Sequence, residues 1–279
     1  MTFATYFCPN CTIITVISSK NFRFLEVLYI MQISELLPEM IKDLAPTGPL
    51  PMTTSAQLVY WRQLATKRLP GKLPKGYLVK EDEFLQKLWQ QRITLTLADL
   101  TEVKPGIYLT QGDITNLKVD AIVNASDDTM LGCFALDHPC LDNEVHLLAG
   151  SRLREECAQM MQGQKVPAGQ VRITKGYHLP SAYIMHAVAP KVVGELTETQ
   201  KKALADCYEA CLTLALEKSL SSIAFCSLGT GARNFPSPAA ASIAYRVITN
   251  FHQLHPEIKI VLSPYKDIDH ELYRYLFTH

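Results

Sequence analysis

The 279-residue sequence has no excess charge of either sign, because 27 lysine and arginine residues face 27 aspartate and glutamate residues. It therefore has no overall field that would draw it to nucleic acid or to anionic lipid, and we expect neither as a partner. It also lacks an apolar run of the roughly 18 residues that a membrane-spanning helix needs. Its eight cysteines lack the short spacings of a disulfide scaffold, which favours a reducing compartment and predicts a cytoplasmic protein.

Residues 1–30 lack the pattern of a folded segment. Cys8-Pro9-Asn10-Cys11 has the spacing of half a zinc knuckle, but no second Cys or His pair follows nearby. Lys20 and Arg23 interrupt the apolar stretch, and no small-residue cleavage site follows, so a signal peptide is not expected. We interpret residues 1–30 as an extension without catalytic importance, with Met31 as an alternative start. A labile redox Cys-X-X-Cys motif is the other interpretation.

Residues 31–92 have the pattern of a small helical unit. Apolar residues recur at spacings of one, three and four between Ile33 and Leu44. Proline and glycine then break the chain, Thr53 begins a run of possible N-caps for a second helix, and a third helix is predicted over 81–91. We expect this unit to support packing or to act as a lid, and it carries no obvious chemistry.

Strands and helices alternate beyond residue 93, and this alternation predicts a three-layer α/β/α sandwich around a mixed, largely parallel sheet. The predicted strands are 93–97, 107–110, 121–124, 171–174, 183–188, 223–227 and 258–262. The predicted helices are 143–161, 198–217, one that begins at Ser237-Pro238, and 269–277. The organisation we expect is therefore an extension (1–30), a helical unit (31–92) and one α/β domain (93–279).

Two thiols and an imidazole lie within positions 133–140. Gly132 enters this loop and Pro139 separates its last two polar residues, so Cys133, His138 and Cys140 can fold around one ion. Two thiolates and a neutral imidazole suit Zn²⁺ and leave its fourth position open, as in catalytic zinc sites. The alternative is that the cysteines are small buried hydrophobes.

Three polar loops follow predicted strands, at positions 111–115, 124–127 and 227–231. Ligands of open α/β sheets bind at the carboxyl ends of the strands, so we expect these loops to form one site. The third loop is glycine-rich and precedes a helix, an arrangement that suits phosphate.

These motifs, taken in order, resemble the macrodomain, the ADP-ribose-binding fold. The residues that carry the resemblance are Gly112-Asp113-Ile114-Thr115, Val119-Asp120-Ala121-Ile122-Val123-Asn124-Ala125, the stretch from His146 to Gly150, and Gly229-Thr230-Gly231. The insertion from Gly132-Cys133-Phe134 to His138-Pro139-Cys140-Leu141-Asp142-Asn143 resembles the zinc-containing class of microbial ADP-ribosyl hydrolases. That class also has a helical N-terminal extension like residues 31–92.

The resemblance implies which residues bind ADP-ribose. Asp113, with the backbone N–H of Ile114 beside it, would accept a hydrogen bond from the adenine amino group, although an ordinary turn aspartate is the alternative. Tyr265 would lie over the adenine, with a core tyrosine as the competing interpretation. Asn124 would meet the distal ribose. The segment that would bind the diphosphate comprises Gly229, Thr230, Gly231, Ala232 and Arg233, the last through a charge-assisted contact.

The resemblance also implies the chemistry. Zinc would lie beside the distal ribose, and Asp142 would position or deprotonate the attacking water. Asp142 has a structural alternative as the cap of a helix beginning at Asn143. Asp127 replaces the usual asparagine of the class, and we group it with Asn124 and Asp142 as a catalytic candidate. Its charge would raise the pKa of Asp142 unless zinc screens the pair.

Two further departures concern the phosphate loop, where the class tends to have serine at Gly229 and Val-Phe-Gly at Ala232-Arg233-Asn234. The function we expect is a zinc-dependent hydrolase that removes mono-ADP-ribose from protein side chains. A non-hydrolytic ADP-ribose-binding module and a hydrolase of a small ADP-ribose ester are the alternatives. The class is associated with a sirtuin-like transferase and a lipoyl-carrier protein, which are thereby implied partners.

Several other polar residues are interpreted as structural. His146 and His186 are expected to be satisfied histidines of the core or of a helix, and Arg152 and Arg154 to lie on a solvated face. The cysteines on apolar faces are expected to pack in the core, namely Cys157, Cys207, Cys211 and Cys226.

Overall fold

The structure is a computed structural model that describes residues 35–136, 138 and 140–279. The Cys8-Pro9-Asn10-Cys11 motif and the alternative start at Met31 lie outside the described residues. Within the described part of the chain, no helix is both long and apolar enough to cross a bilayer.

Three helices form the N-terminal unit: α1 (Leu36–Leu44), α2 (Thr54–Lys67) and α3 (Tyr77–Trp89). The Thr53 side chain accepts the backbone N–H of Ala56 and so caps α2, as expected. Trp61 and Phe84 pack edge to face at 4.8 Å between ring centroids in the core of this unit. The third helix begins at Tyr77, four residues earlier than predicted, because the buried Tyr77 side chain belongs to the same core.

The helical unit packs directly against the α/β domain. Leu147 of the domain completes the apolar core of the unit. The Trp89 indole N–H donates to the Leu148 carbonyl at 3.3 Å, and the buried Glu81 carboxylate accepts the backbone N–H and hydroxyl of Ser151, both at 2.8 Å. Buried polar contacts of this kind join the two parts as one packed body.

A seven-stranded mixed sheet forms the centre of the domain, with strand order β1-β2-β7-β6-β3-β5-β4. The strands are β1 (Thr101–Lys104), β2 (Ile107–Leu109), β3 (Ala121–Ala125), β4 (Val171–Lys175), β5 (Tyr183–Ala187), β6 (Ser222–Phe225) and β7 (Lys259–Leu262). The five inner strands are parallel, and the edge strands β1 and β4 are antiparallel to their neighbours. The predicted mixed, largely parallel sheet is confirmed.

Helices α4 (Leu141–Ala149) and α5 (Ser151–Met161) follow the Cys/His loop, while α6 (Glu198–Glu217), α7 (Ser237–Leu254) and α8 (Asp267–Thr278) pack side by side. The predicted single helix 143–161 is wrong, because Gly150 divides it. Gly150 has φ +92°, and a Cβ there would lie 2.9 Å from the Leu85 side chain. Close packing of α3 therefore requires glycine at this break.

The predicted strand 93–97 is also wrong. Only Leu95 forms an isolated bridge, to Leu117, and a short 3₁₀ turn follows at Leu97–Asp99. The edge strand is instead β1, whose polar sequence Thr-Glu-Val-Lys lacks the apolar alternation that identifies a buried strand.

Arg154 lies in the interior, so its interpretation as a solvated residue is wrong. Its guanidinium donates to the backbone carbonyls of Ala65, in the last turn of α2, at 2.8 Å and of Arg68, just after α2, at 2.6 Å. Its guanidinium carbon also lies 5.0 Å from the ring centroid of Phe134, in the Cys/His loop. Arg154 thus connects the helical unit to the loop that carries the candidate metal ligands.

Replacing Arg154 with methionine is expected to lower the free energy of unfolding by about 3 kcal/mol, because the variant leaves the buried Ala65 carbonyl and the part-buried Arg68 carbonyl without their charged donor. The matched control is Arg152→Met on the same helix, which removes a partly exposed ion pair with Asp82 and should cost about 0–1 kcal/mol. Urea denaturation of both variants measures the difference. Equal losses would contradict the structural role of Arg154.

Candidate functional site at the carboxyl edge of the sheet

The predicted loops converge at one edge of the sheet. Strands β2, β7, β6 and β3 are consecutive and parallel, so the segments that leave their carboxyl ends lie side by side. Three inter-strand steps of about 4.8 Å separate β2 from β3, which makes this row of loops about 14 Å long. Asp113, Tyr265 and the 229–233 segment follow β2, β7 and β6 in that spatial order, and Asn124 lies near the carboxyl end of β3.

Asp113 is held by two groups at the β2 end of the row. One carboxylate oxygen accepts the backbone N–H and hydroxyl of Thr115, at 3.0 and 2.6 Å, and the other accepts the guanidinium of Arg92 at 2.7 Å. The backbone of Ile114 begins the 3₁₀ turn beside it. The Asp113 carboxylate is therefore oriented, and Arg92 gives the helical segment a contact with the site that the sequence had not indicated.

Tyr265 follows β7 and is 81% exposed. The competing interpretation of Tyr265 as a core residue is therefore wrong. An exposed ring at the edge of the row is available to a ligand, although its predicted place over an adenine stays a prediction.

The loop after β6 is anchored at Thr230, whose hydroxyl donates to the buried Asp269 carboxylate at 2.7 Å. The Lys266 ammonium donates to the Thr230 carbonyl. Gly231 and Ala232 are exposed, so this segment presents main chain rather than large side chains to solvent.

Arg233 spans from this loop toward the loop that follows β3. One guanidinium nitrogen donates to the Ser126 carbonyl at 3.4 Å, and the Arg233 carbonyl accepts the backbone N–H of Val192. The structure thereby brings the predicted phosphate segment beside the end of β3, with a cation between them.

Cys133, His138 and Cys140 meet at the β3 end of the row. Their ligand atoms all lie within 4.8 Å of one another, and the Cys133 sulfur is 3.5 Å from His138 Nδ1. Thiolate and imidazole ligands of a tetrahedral zinc lie about 3.5–3.8 Å apart, given metal–ligand distances of about 2.3 and 2.1 Å. The three residues therefore form a donor set that could hold one metal ion.

The surroundings of the Cys140 thiol change its pKa. Burial, together with the neighbouring Cys133 sulfur, raises the pKa of Cys140 to about 12. Coordination by a cation would reverse this effect, because a metal-bound thiol is deprotonated outright.

Gly132 opens the loop at φ +84°, and a Cβ there would lie 2.8 Å from the His146 ring. The entry to the loop therefore requires glycine.

Asn124 and Asp142 form a buried pair next to this cluster. Asn124 is the penultimate residue of β3, and its side-chain nitrogen donates to one Asp142 carboxylate oxygen at 2.6 Å. Asp142 lies in the first turn of α4, which begins at Leu141, so its interpretation as the cap of a helix beginning at Asn143 is wrong. The pair projects from the end of a strand and from the start of a helix, where an anion is favoured.

Burial raises the pKa of the Asp142 carboxyl to about 7; the hydrogen bond from Asn124 opposes this shift and the charge of Asp127 adds to it. The charge of Asp127 acts in the predicted direction, burial is the larger cause, and the catalytic role of Asp127 stays a prediction. A carboxyl whose pKa lies near neutrality is suited to proton transfer.

The Asp127 carboxylate accepts hydrogen bonds from the residues that follow it in the chain. One of its oxygens accepts the backbone N–H and hydroxyl of Thr129 and the backbone N–H of Met130, at 2.7–2.9 Å. This oxygen closes a turn at the beginning of the Cys/His loop. The carboxylate thus shapes the loop as well as adding charge beside Asp142.

The two histidines behind the pair differ from each other. His186 is hydrogen-bonded through both ring nitrogens, as predicted for a satisfied histidine. His146 is buried, but neither of its ring nitrogens has a hydrogen-bond partner in the described part of the chain, so its interpretation as satisfied is wrong. Burial lowers the pKa of His146 well below its usual value, so the ring is neutral and its 3.8 Å approach to Asp142 is not an ion pair.

The cysteines predicted to pack in the core are buried, including Cys157.

Comparison with known proteins assigns this architecture to a family. The Macro domain family model matches residues 123–244. The "Protein-ADP-ribose hydrolase" of Staphylococcus aureus (strain MRSA252) is 38% identical over 226 residues, which cover 78% of this chain and 84% of that protein. The chain belongs to the Macro domain family. The protein of the same name from Treponema medium is 38% identical over 236 residues, which cover 82% of this macrodomain chain and 90% of the relative.

A solved macrodomain structure resembles most of this fold. The Trypanosoma brucei macrodomain in complex with ADP-ribose superimposes with a TM-score of 0.60 at 29% identity, over 76% of this chain and 94% of that one. The macrodomain fold expected from the sequence is thereby confirmed.

Proposed function

We propose that this macrodomain is a hydrolase that removes mono-ADP-ribose from modified protein side chains. The observation that carries the proposal is the buried Asn124–Asp142 pair at the end of β3, directly beside the Cys133/His138/Cys140 cluster. The names of the Staphylococcus and Treponema relatives support the same activity. The scattered cysteines favour action in the cytoplasm.

The row of loops provides a path for the ligand. In this proposal Asp113 and the Ile114 N–H bind the adenine at the β2 end, with Tyr265 over its face. The main chain of 229–232 and the Arg233 cation bind the diphosphate, because glycine-rich turns bring N–H groups close to phosphate oxygens. The distal ribose then reaches Asn124 and Asp142 at the β3 end.

Zinc fits the donor set at the β3 end. Two thiols and one imidazole, whose ligand atoms lie within 4.8 Å of one another, match the ligand preference of Zn²⁺, and fewer than four protein ligands leave a position for substrate or water. Bound there, zinc would supply Lewis acidity toward a ribose hydroxyl or a water molecule.

The side chains of the chain itself account for positioning and proton transfer. Asn124 orients Asp142 through its amide, and Asp142 accepts a proton from the water that attacks the anomeric carbon. The bond between that carbon and the protein side chain breaks, the side-chain atom keeps the electron pair and receives the proton from Asp142, and free ADP-ribose leaves. Asp127 is assigned to shaping of the loop and to tuning of Asp142 through its charge.

The deciding experiment incubates the purified chain with a mono-ADP-ribosylated protein, with and without a chelator, and measures release of ADP-ribose. Release that the chelator abolishes and added zinc restores supports a zinc-dependent hydrolase. Tight binding of ADP-ribose without release from any acceptor would assign a binding module, and release only from a small ester would assign an esterase. A lipoyl-carrier protein modified by a sirtuin-like transferase is our candidate substrate, on the family resemblance alone.

Asp113→Ala is expected to weaken ADP-ribose binding about 10–100-fold, because a hydrogen bond to a charged group contributes about 1.5–3 kcal/mol. Free ADP-ribose should raise the melting temperature of the wild type, and the variant should show a smaller shift at equal ligand concentration. Asp128→Ala, which removes a partly exposed carboxylate paired with Lys165, is the control and should keep the full shift. An undiminished shift in Asp113→Ala would remove Asp113 from the proposed binding site.

A further inference from the structure

Four buried side chains form a continuous hydrogen-bonded row that ends in the candidate catalytic pair. The Thr174 hydroxyl lies 2.9 Å from His186 Nε2, His186 Nδ1 lies 3.2 Å from the Asn124 side-chain nitrogen, and that nitrogen lies 2.6 Å from Asp142. Strand register produces the row. Asn124 of β3 pairs with His186 of β5, and Thr174 of the antiparallel β4 is its diagonal neighbour.

The direction of each hydrogen bond follows from the chemistry of the groups. As the ionised base of the proposed function, Asp142 only accepts, so the Asn124 atom that faces it is the amide nitrogen. That nitrogen only donates, so His186 Nδ1 must present its lone pair to the second amide hydrogen. Burial lowers the pKa of His186 to about 4, so the ring is neutral and its one N–H is on Nε2, where it donates to Thr174.

We propose that His186, held as the Nε2–H tautomer by Thr174, is a positioning residue that fixes the Asn124 amide and, through it, Asp142. This inference rests on the proposed function for the role of Asp142, but the tautomer can be measured independently of it. With both amide hydrogens used, Asn124 Oδ1 is left without a partner among the described residues, and it is the amide atom that can accept from a ligand hydroxyl.

The opposite tautomer would disrupt the pair. An N–H on His186 Nδ1 would face the amide N–H groups of Asn124, and relief of that contact would require the amide to rotate. Rotation would place the Asn124 oxygen against the Asp142 carboxylate, which repels it. A proton on Nδ1 of His186, which takes no part in the reaction itself, would thus change the orientation of Asp142, the proposed base.

A metal-binding interpretation of the same region is weaker. The ligand atoms of His146, Cys157 and His186 lie within 4.8 Å of one another. However, both ring nitrogens of His186 already have hydrogen-bond partners, so this histidine has no lone pair free for an ion. The row accounts for His186 without a second metal.

The first test identifies the tautomer directly. The ring nitrogens of His186 are observed by ¹⁵N NMR of the full chain, with assignment by loss of the signals in His186→Gln. We expect a neutral ring protonated at Nε2 in the wild type. A ring protonated at Nδ1 would overturn the proposal whether or not the chain is a hydrolase.

The second test separates positioning from folding. Thr174→Val removes the group that holds the tautomer and should lower kcat about 10–100-fold, as loss of outer-shell partners typically does, with a smaller change in KM. Thr249→Val is the matched control, because the Thr249 hydroxyl on α7 has no partner in the described part of the chain. Unchanged kcat in Thr174→Val, or an equal loss in the control, would overturn the role.

A conservative pair of variants sharpens the result. His186→Asn keeps an acceptor near the position of Nδ1, whereas His186→Gln extends toward Thr174 and loses it. We expect His186→Asn to retain at least about tenfold more activity than His186→Gln at similar melting temperature. The reverse order would show that the contact with Asn124 is not the contact that supports activity.

Should the wild type prove inactive, the NMR signals of the Asn124 amide report the same contact. They should shift in His186→Gln more than in His186→Asn, and equal shifts would overturn the proposal.

Discussion

Asp142→Asn is expected to release ADP-ribose from a modified protein about 10²–10⁴-fold more slowly than the wild type, the usual cost of removing a general base. The substitution keeps the shape of the side chain, and an amide oxygen at that position still accepts from Asn124. The proposed base is lost while the buried contact is retained. Single-turnover hydrolysis, with ADP-ribose binding measured by calorimetry, separates the chemical step from affinity.

The control for Asp142→Asn is Asp128→Asn, which makes the same change of charge at a partly exposed carboxylate paired with Lys165. It should leave the rate close to that of the wild type. A wild-type rate in Asp142→Asn would remove Asp142 from the chemistry. Loss of both binding and rate would instead make Asp142 part of the binding surface.

Cys140→Ala is expected to lose the zinc that the purified wild type should hold at about one ion per chain, because removal of one of three protein ligands leaves too few donors. Elemental analysis of the dialysed protein measures this loss. Hydrolysis should fall with the metal and should not return when zinc is added.

Cys207→Ala is the matched control for the metal experiment, since Cys207 is another free cysteine but is buried on α6. It should keep the full zinc content. Wild-type protein without zinc would remove the metal from the proposed function, and retention of zinc in Cys140→Ala would move the site to other residues.

The fold class could be predicted from the sequence because the pattern that indicates it is local. The alternation of apolar strands with amphipathic helices appears in short windows, and α6 was predicted with the bounds that the structure shows. The polar edge strand β1 and the break at Gly150 were missed for the opposite reason. Both depend on packing against residues distant in the chain.

The sequence by itself also determined which chemical groups are available. Spacing and the family resemblance were enough to identify three groups: the residue types at 133, 138 and 140, the Asp113-Ile114 turn, and the glycine-rich loop after β6. Parallel pairing of β2, β7, β6 and β3 then accounts for their convergence, because the carboxyl ends of parallel strands share an edge.

Only the tertiary structure decided how these groups are held. Arg92 meets Asp113 across the boundary of the helical unit, Arg154 ties α2 to Phe134, and strand register places His186 against Asn124. No periodicity encodes such contacts, because they depend on how separate elements dock and on which residues of neighbouring strands are paired. A one-residue shift in register would turn these side chains to the other face of the sheet.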